Sequence, residues 1–309
     1  MQVSFIIPLY NCLPLTQAMV ASLQATLPRN LTHEIILVDD GSTDGTREWL
    51  ATLDAPFRVV LNERNLGYAA ANNRGAARAS GEFLALLNND LVLMPGWLEP
   101  MLDTHRQLGA NAGLIGNVQL DARNGAIDHA GIFFNHKGKP EHARELPSPF
   151  TRLFRSYQRV DAVTGACVLV GRALWMQLGG FDEGYVNGCE DVDLALRADA
   201  AGRVNAVTWR SVIHHHVSSS PGRKVRDEQN TRRFTQRWRA ELVRRSVRRW
   251  CWNYYETSSL NSRQQESALA WRIWMHALGV SHTPPPEALA GTEAAIDAEL
   301  VRWEKMFGR

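Results

Sequence analysis

The sequence predicts an α/β domain built around a largely parallel sheet, followed by a helical carboxyl-terminal extension. Two patterns and one change of composition predict it. Apolar runs of strand length alternate with segments of helical period up to residue 90, and each run ends in a polar cluster. From about residue 220 the chain turns basic and rich in tryptophan. In chain order, residues 3–8 read as a strand, 13–27 as a helix, 34–39 as a strand and 43–53 as a helix. A short strand over 58–61, an alanine-rich helix over 68–79 and a strand over 82–87 ending at Asn88-Asn89-Asp90 complete three βα units. The pattern then loosens, with strands at 114–120, 131–134 and 160–170 and a polar, Pro-containing loop over 136–149. Helices follow at 172–178 and 190–201; Val212 and Ile213 lead into three histidines and the loop signal SSSPG. Helices at 228–250, 260–279 and 287–307 close the chain, the last set off by Pro284-Pro285-Pro286.

Composition excludes several classes. With 309 residues, 45% of them hydrophobic and 21% charged, such a chain buries roughly 75% of its unfolded surface and is not globally disordered. No apolar stretch approaches the ~20 residues of a membrane-spanning helix. The start MQVSFIIPLYN lacks a basic region and reads as a first strand rather than a signal peptide, so the expected location is cytoplasmic. Cys12, Cys167, Cys189 and Cys251 lie far apart, which argues against a disulfide framework or a cysteine zinc site and for small buried apolar residues. The formal charge of +2 conceals an asymmetry: residues 223–249 hold eleven Lys or Arg against three acids, and six of the ten tryptophans follow residue 230. A domain boundary is therefore expected at about residue 222.

Ligands of open α/β sheets bind beyond the carboxyl ends of the strands, so the polar clusters there carry the chemistry. In IILVDDGSTDGT, helix capping accounts for Ser42, Thr43 or Asp44, but not for Asp39 and Asp40, which run an apolar strand into two adjacent carboxylates suited to nucleobase N–H or ribose hydroxyl donors. Asn65 and Gly67 form a turn. Gly75 sits among alanines at a cost of ~1 kcal/mol relative to Ala, which indicates close approach of a ligand or tight packing on the sheet. Asn88-Asn89-Asp90 offers hard oxygen ligands for Mg²⁺ or Mn²⁺ bridging phosphates, and is otherwise a plain turn.

In this order, SFIIPLYN, VDDGSTDGT, NxGxxxxxNxG, LLNND, TGACVLV and GGFDEGYVNGCEDVDLALR resemble the inverting family 2 glycosyltransferases of the GT-A fold, especially their rhamnosyltransferase-like branch, over residues 1–220. The resemblance implies a mixed sheet flanked by helices, with a nucleotide-binding half at 1–110, an acceptor half at 111–222 and a helical extension at 223–309. It implies a transferase that moves a sugar from a nucleotide-diphosphate sugar to a saccharide or lipid-linked acceptor hydroxyl with the help of Mg²⁺ or Mn²⁺. Pro8, Tyr10, Asp39, Asn65, Gly67 and Asn73 look like the nucleotide pocket, with Asn88 and Asn89 beside it, and Asp90 looks like the metal-binding aspartate. Asn88 stands where the family has an acid. Three consecutive histidines on an extended segment cannot all reach one ion; the resemblance favours His215 over His214 and His216 as a ligand to the metal or diphosphate.

Glu190, Asp191 and Asp193 open a helix, where carboxylates favour the dipole, and the same cluster places a carboxylate to accept a proton from a bound hydroxyl. The resemblance aligns the general base with Asp191 and leaves Glu190 on the acceptor side. In the extension, Phe234, Trp238, Leu242, Ser246 and Trp250 recur at spacing four with arginines opposite. Either this stripe docks on the catalytic domain, or the segment 223–250 makes a peripheral contact with an anionic membrane at its inner face; oligomers through these helices are a further expectation. No nucleic-acid motif accompanies the charge. The rivals are a sugar-phosphate nucleotidylyltransferase, whose Gly-rich basic loop PLYNCLPLTQ lacks, and a non-catalytic carbohydrate- or nucleotide-binding protein of the same fold.

Overall fold

The computed structural model describes residues 2–216, 227–258 and 267–308. They divide into two compact units, one of residues up to Ile132 with those from His142, the other of Phe133–Glu141 with those from Asp227.

In the first unit the elements run β1 (Gln2–Leu9), α1 (Leu13–Thr26), β2 (Thr32–Asp39), α2 (Thr46–Leu50), β3 (Phe57–Leu61), α3 (Tyr68–Ala76), β4 (Phe83–Leu87), β5 (Leu91–Leu93), α4 (Glu99–Leu108), β6 (Ala112–Asp121) and β7 (Ile127–His129). After the two strands β8 (Ile132–Phe134) and β9 (Pro140–His142) come α5 (Pro149–Phe154), β10 (Tyr157–Arg159), β11 (Cys167–Gly171), α6 (Arg172–Leu178), α7 (Glu190–Ala200) and β12 (Val204–His215). The sheet order is β10-β12-β6-β11-β4-β1-β2-β3, with β5 on β12 and β7 on β6. β1 pairs in parallel with β2 and β4, β2 with β3 and β6 with β12, whereas β11 runs antiparallel to both β4 and β6. The sheet is thus mixed rather than largely parallel. β1 has β2 on one side and β4 on the other, so the chain reverses its winding between β1 and β4, and the crevice at a switch point opens beyond their carboxyl ends.

The core explains the elements. Val3, Phe5, Ile7 and Leu9 of β1 pack with Met19, Val20 and Leu23 of α1 and with Trp97, Leu98 and Met101 at the start of α4. On the other sheet face the Gly75 question is resolved for packing: a Cβ there would stand 2.5 Å from Ile6 Cγ2 and 3.0 Å from Val38 Cγ2. Residues 160–166, expected as part of one long strand, are irregular, and only Cys167–Gly171 continues as a strand. The four cysteines are free; Cys167 and Cys251 are buried, but Cys12 and Cys189, each at a left-handed position just before a helix, are only half-buried.

The second unit holds α8 (Asp227–Ser258), α9 (Ser267–Ala277) and α10 (Pro286–Phe307) with residues 133–141. Residues of the spacing-four stripe pack within this unit: Trp250 lies against the cluster of Val247, Cys251, Ile273, Ala277 and Ala288, and Leu242 lies beside Gly138. Phe234 stacks on Phe134 at 6.1 Å between centroids. Glu299 is gripped by Lys139 at 2.8 Å, Lys137 at 3.3 Å and Arg302 at 2.8 Å. Burial alone would raise its pKa, but these cations hold it at about 2. No described helix is long and apolar enough to cross a membrane.

Candidate functional site

The site lies in the first unit, on the loops that leave β1, β2, β4 and β12. At the end of β1, Asn11 and Cys12 take left-handed backbone conformations, at φ 55° and 60°, which turn the chain sharply into α1. Reciprocal hydrogen bonds lock this turn to the loop after β2: Asn11 N donates to Ser42 Oγ and Thr43 N donates to Asn11 Oδ1, both at 2.8 Å. Asp44 accepts from Leu13 N at 2.9 Å and from Thr46 N and Oγ1, so it serves the starts of both α1 and α2. Tyr10 projects from this frame, 47% exposed, while Pro8 is half-buried within β1, opposite Val38.

The two carboxylates after β2 have different partners. Asp39, fully buried, accepts from Arg47 Nε at 2.7 Å and from Ser42 N at 3.2 Å. Asp40, also buried, accepts from Asn62 Nδ2 at 2.7 Å, Leu66 N at 3.0 Å and Gly67 N at 2.9 Å. It therefore shapes the loop that presents Asn65, which is exposed, and Gly67, whose φ of 92° suits glycine at the start of α3. Asn73 is spent on the fold: its Nδ2 donates to Phe181 O and its Oδ1 accepts from Phe181 N, each at 2.9 Å. Sequence reasoning missed the roles of Arg47 and Asn62; a lone arginine on a five-residue helix just after a buried acid pair is the signal that could have found the first.

The loop after β4 meets the end of β12. Asp90 Oδ1 lies 3.3 Å from His215 Nε2, with both side chains buried. The contact is not aligned as a hydrogen bond: Asp90 Oδ1, both ring nitrogens of His215 and Asn88 Oδ1 are buried without a partner. Leaving such atoms unsatisfied costs about 1–3 kcal/mol each. Two adjacent ligands of an octahedral ion with bonds of about 2.1 Å stand about 3 Å apart, so the pair fits a hard divalent cation. Among the described residues no group of three His, Cys, Asp or Glu side chains converges. Asn89 turns away, donating from Nδ2 to Thr16 Oγ1 at 2.9 Å. Asp121, level with His215 across β6–β12, is neutralised by Arg123, whose hydrogen bonds hold its pKa at about 2, with His215 adding to the effect. His214 and His216 are only half-buried.

Asp191 stands in the first turn of α7, where its Oδ2 accepts from Gly165 N at 2.8 Å and its Oδ1 from Val192 N at 2.8 Å. Each oxygen keeps a second lone pair for an incoming proton. The Gly165 carbonyl in turn accepts from Tyr68 Oη at 2.7 Å, and Ala166 O accepts from Asn88 N at 2.8 Å. The turn Thr164-Gly165-Ala166 thus ties Asp191 to the Asn88–Asp90 loop. Glu190 is buried and accepts from Gly188 N at 2.6 Å, a role in shaping the turn. Asp193 is buried against Arg197 at 2.8 Å.

Residues 4–173 match the pattern of the family described as Glycosyl transferase family 2. The chain is 33% identical over 232 residues to an O-antigen biosynthesis protein of Myxococcus xanthus, covering 71% of this chain and 18% of that one. It is 29% identical over 235 residues to the N-acetylglucosaminyl-diphospho-decaprenol L-rhamnosyltransferase of Mycobacterium tuberculosis, covering 69% of this chain and 76% of the relative. A solved structure of GalNAc-T7 with UDP, GalNAc and Mn²⁺ shares the fold at a TM-score of 0.64 and 18% identity, over 88% of this chain and 53% of that one. The chain spans less than a fifth of the Myxococcus relative and about half of GalNAc-T7.

Proposed function

The chain belongs to glycosyl transferase family 2 and has the GT-A fold, and from that premise we propose that it transfers a sugar from a nucleoside-diphosphate sugar to a saccharide or lipid-linked hydroxyl with inversion. The observation that carries this reading is the buried Asp90–His215 pair, with unshared lone pairs at the switch point of the sheet. The nucleotide would lie over the ends of β1 and β2, against Pro8, Tyr10, Asp39 and the Asn65–Gly67 loop. Asp90 and His215, with Asn88 alongside, would hold Mg²⁺ or Mn²⁺; when bound, such an ion neutralises the charge that develops on the departing diphosphate. Asp191 accepts the proton of the acceptor hydroxyl as its oxygen bonds to the anomeric carbon and the bond to the diphosphate breaks on the opposite face. No covalent intermediate with the protein is needed. The Mycobacterium relative, named for a decaprenol-linked acceptor, supports a lipid-linked acceptor here.

Calorimetry tests the cation site. Asn88 supplies an amide in place of a charge, so Mn²⁺ alone should bind weakly and become tighter with nucleoside diphosphate present, each raising the affinity of the other by the same factor. Asp90→Ala should lose the metal-dependent part of nucleotide binding, and Asn88→Asp should strengthen metal binding without nucleotide. Equal Mn²⁺ affinity in both titrations, or normal turnover in excess chelator, would remove this site from the mechanism.

A further inference from the structure

We propose that α5 is a docking element for an anionic lipid surface. In this six-residue helix Phe150, Leu153 and Phe154 are 74%, 77% and 71% exposed. Their spacing puts them on one face, and the two phenylalanine rings touch edge to face at 5.1 Å. Elsewhere in the first unit, apolar side chains of this size lie mostly in the core, and a contiguous apolar patch standing clear of the fold marks an interaction site. The helix is firmly made: Ser148 caps it, accepting from Thr151 N at 3.2 Å, with Pro149 in the first turn. The patch is therefore presented by a built element.

The surrounding charge selects the partner. Residues 142–159 carry Arg144, Arg152, Arg155 and Arg159 against the single acid Glu145, and all four arginines are exposed. Among the described residues none of the four forms an ion pair with a carboxylate, unlike Arg47, Arg58, Arg106, Arg123 and Arg197 of the same unit. An exposed apolar face carried on a segment of unneutralised arginines matches the boundary of an anionic bilayer, where rings enter the acyl region and guanidinium groups meet headgroup phosphates. A symmetric contact with a second copy of this chain would bring these like-charged arginines against one another, which disfavours that occupant. The inference goes beyond the proposed transfer reaction and does not depend on the chemistry at Asp90 or Asp191.

The test is cosedimentation of the full chain with phosphatidylglycerol vesicles and with phosphatidylcholine vesicles. Binding should occur to the former and weaken as salt is raised from about 0.1 M to 0.5 M, because screening shortens the reach of the arginines. The triple variant Phe150→Ser, Leu153→Ser, Phe154→Ser should lower the partition coefficient by about tenfold or more. Arg152→Glu with Arg155→Glu should do the same at low salt while melting at the wild-type temperature. Three outcomes overturn the proposal: no binding of the full chain to anionic vesicles; undiminished binding by both variants, which would assign the contact to the basic face of α8; or a concentration-dependent dimer abolished by the triple variant with vesicle binding unchanged.

Discussion

Asp191 accepts from the N–H of Val192 in its own turn and from that of Gly165, whose carbonyl is fixed by Tyr68. Asp191→Asn preserves the volume and loses the basicity, so transfer should fall by roughly 10²- to 10⁴-fold. Nucleotide affinity should be unchanged in calorimetry; wild-type turnover in this variant would exclude Asp191 as the base. At the opposite end of β1 and β2, Glu34 has a structural charge. It accepts from Ser4 Oγ at 2.6 Å, Ser80 N at 2.7 Å and Arg58 Nη1 at 2.6 Å. Burial alone would raise its pKa, but these donors outweigh burial and hold it at about 2. Because the folded value lies below the unfolded value of about 4.3, the stabilisation is complete above that pH and is lost as pH falls towards 2. Urea titrations at stepped pH should find Glu34→Gln less stable than wild type at neutral pH, with a shallower decline below about pH 4.5.

At the scale of elements, α3 and β1 depend on the absence of one methyl group. Alanine at Gly75 gains about 1 kcal/mol of helix propensity but drives Cβ into Ile6 and Val38, so Gly75→Ala should lose about 1–2 kcal/mol net in urea unfolding. A variant more stable than wild type would show that α3 can retreat from the sheet. The βα units up to Asp90 were legible because each apolar run and its helix are local signals. The long apolar run at 160–170 misled for a tertiary reason: Gly165 and Ala166 leave the strand path to meet Asp191, Tyr68 and Asn88, contacts up to 97 residues apart. α4 went unread although Met101, Leu102 and Leu108 recur at helical spacing on its buried side. Within the site, the strand-end clusters were visible in the chain, but the division of labour between Asp39 and Asp40 was not. It depends on Arg47 and on the loop at 62–67, which no local pattern connects to them.

At the scale of the molecule, the helical unit is not a simple appendage, because it includes residues 133–141 from within the segment 4–173 that matches the family. Phe134 is buried and stacks on Phe234, and Gly138 at φ 73° lies where a Cβ would press on Ile296 at 3.1 Å. Phe134→Ala should destabilise this unit by about 3–5 kcal/mol, seen in calorimetry as an earlier transition with the other unit's transition in place. A single unshifted transition would mean that residues 133–141 contribute nothing to it. The same interleaving sets a schedule for synthesis. One hundred residues separate Phe134 from Phe234, and at ~5–20 residues per second the ribosome takes roughly 5–20 s to supply the second ring after the first. For that interval the nascent chain carries a greasy hook with nothing to close on, and a chaperone acting there would meet the chain mid-translation rather than after release.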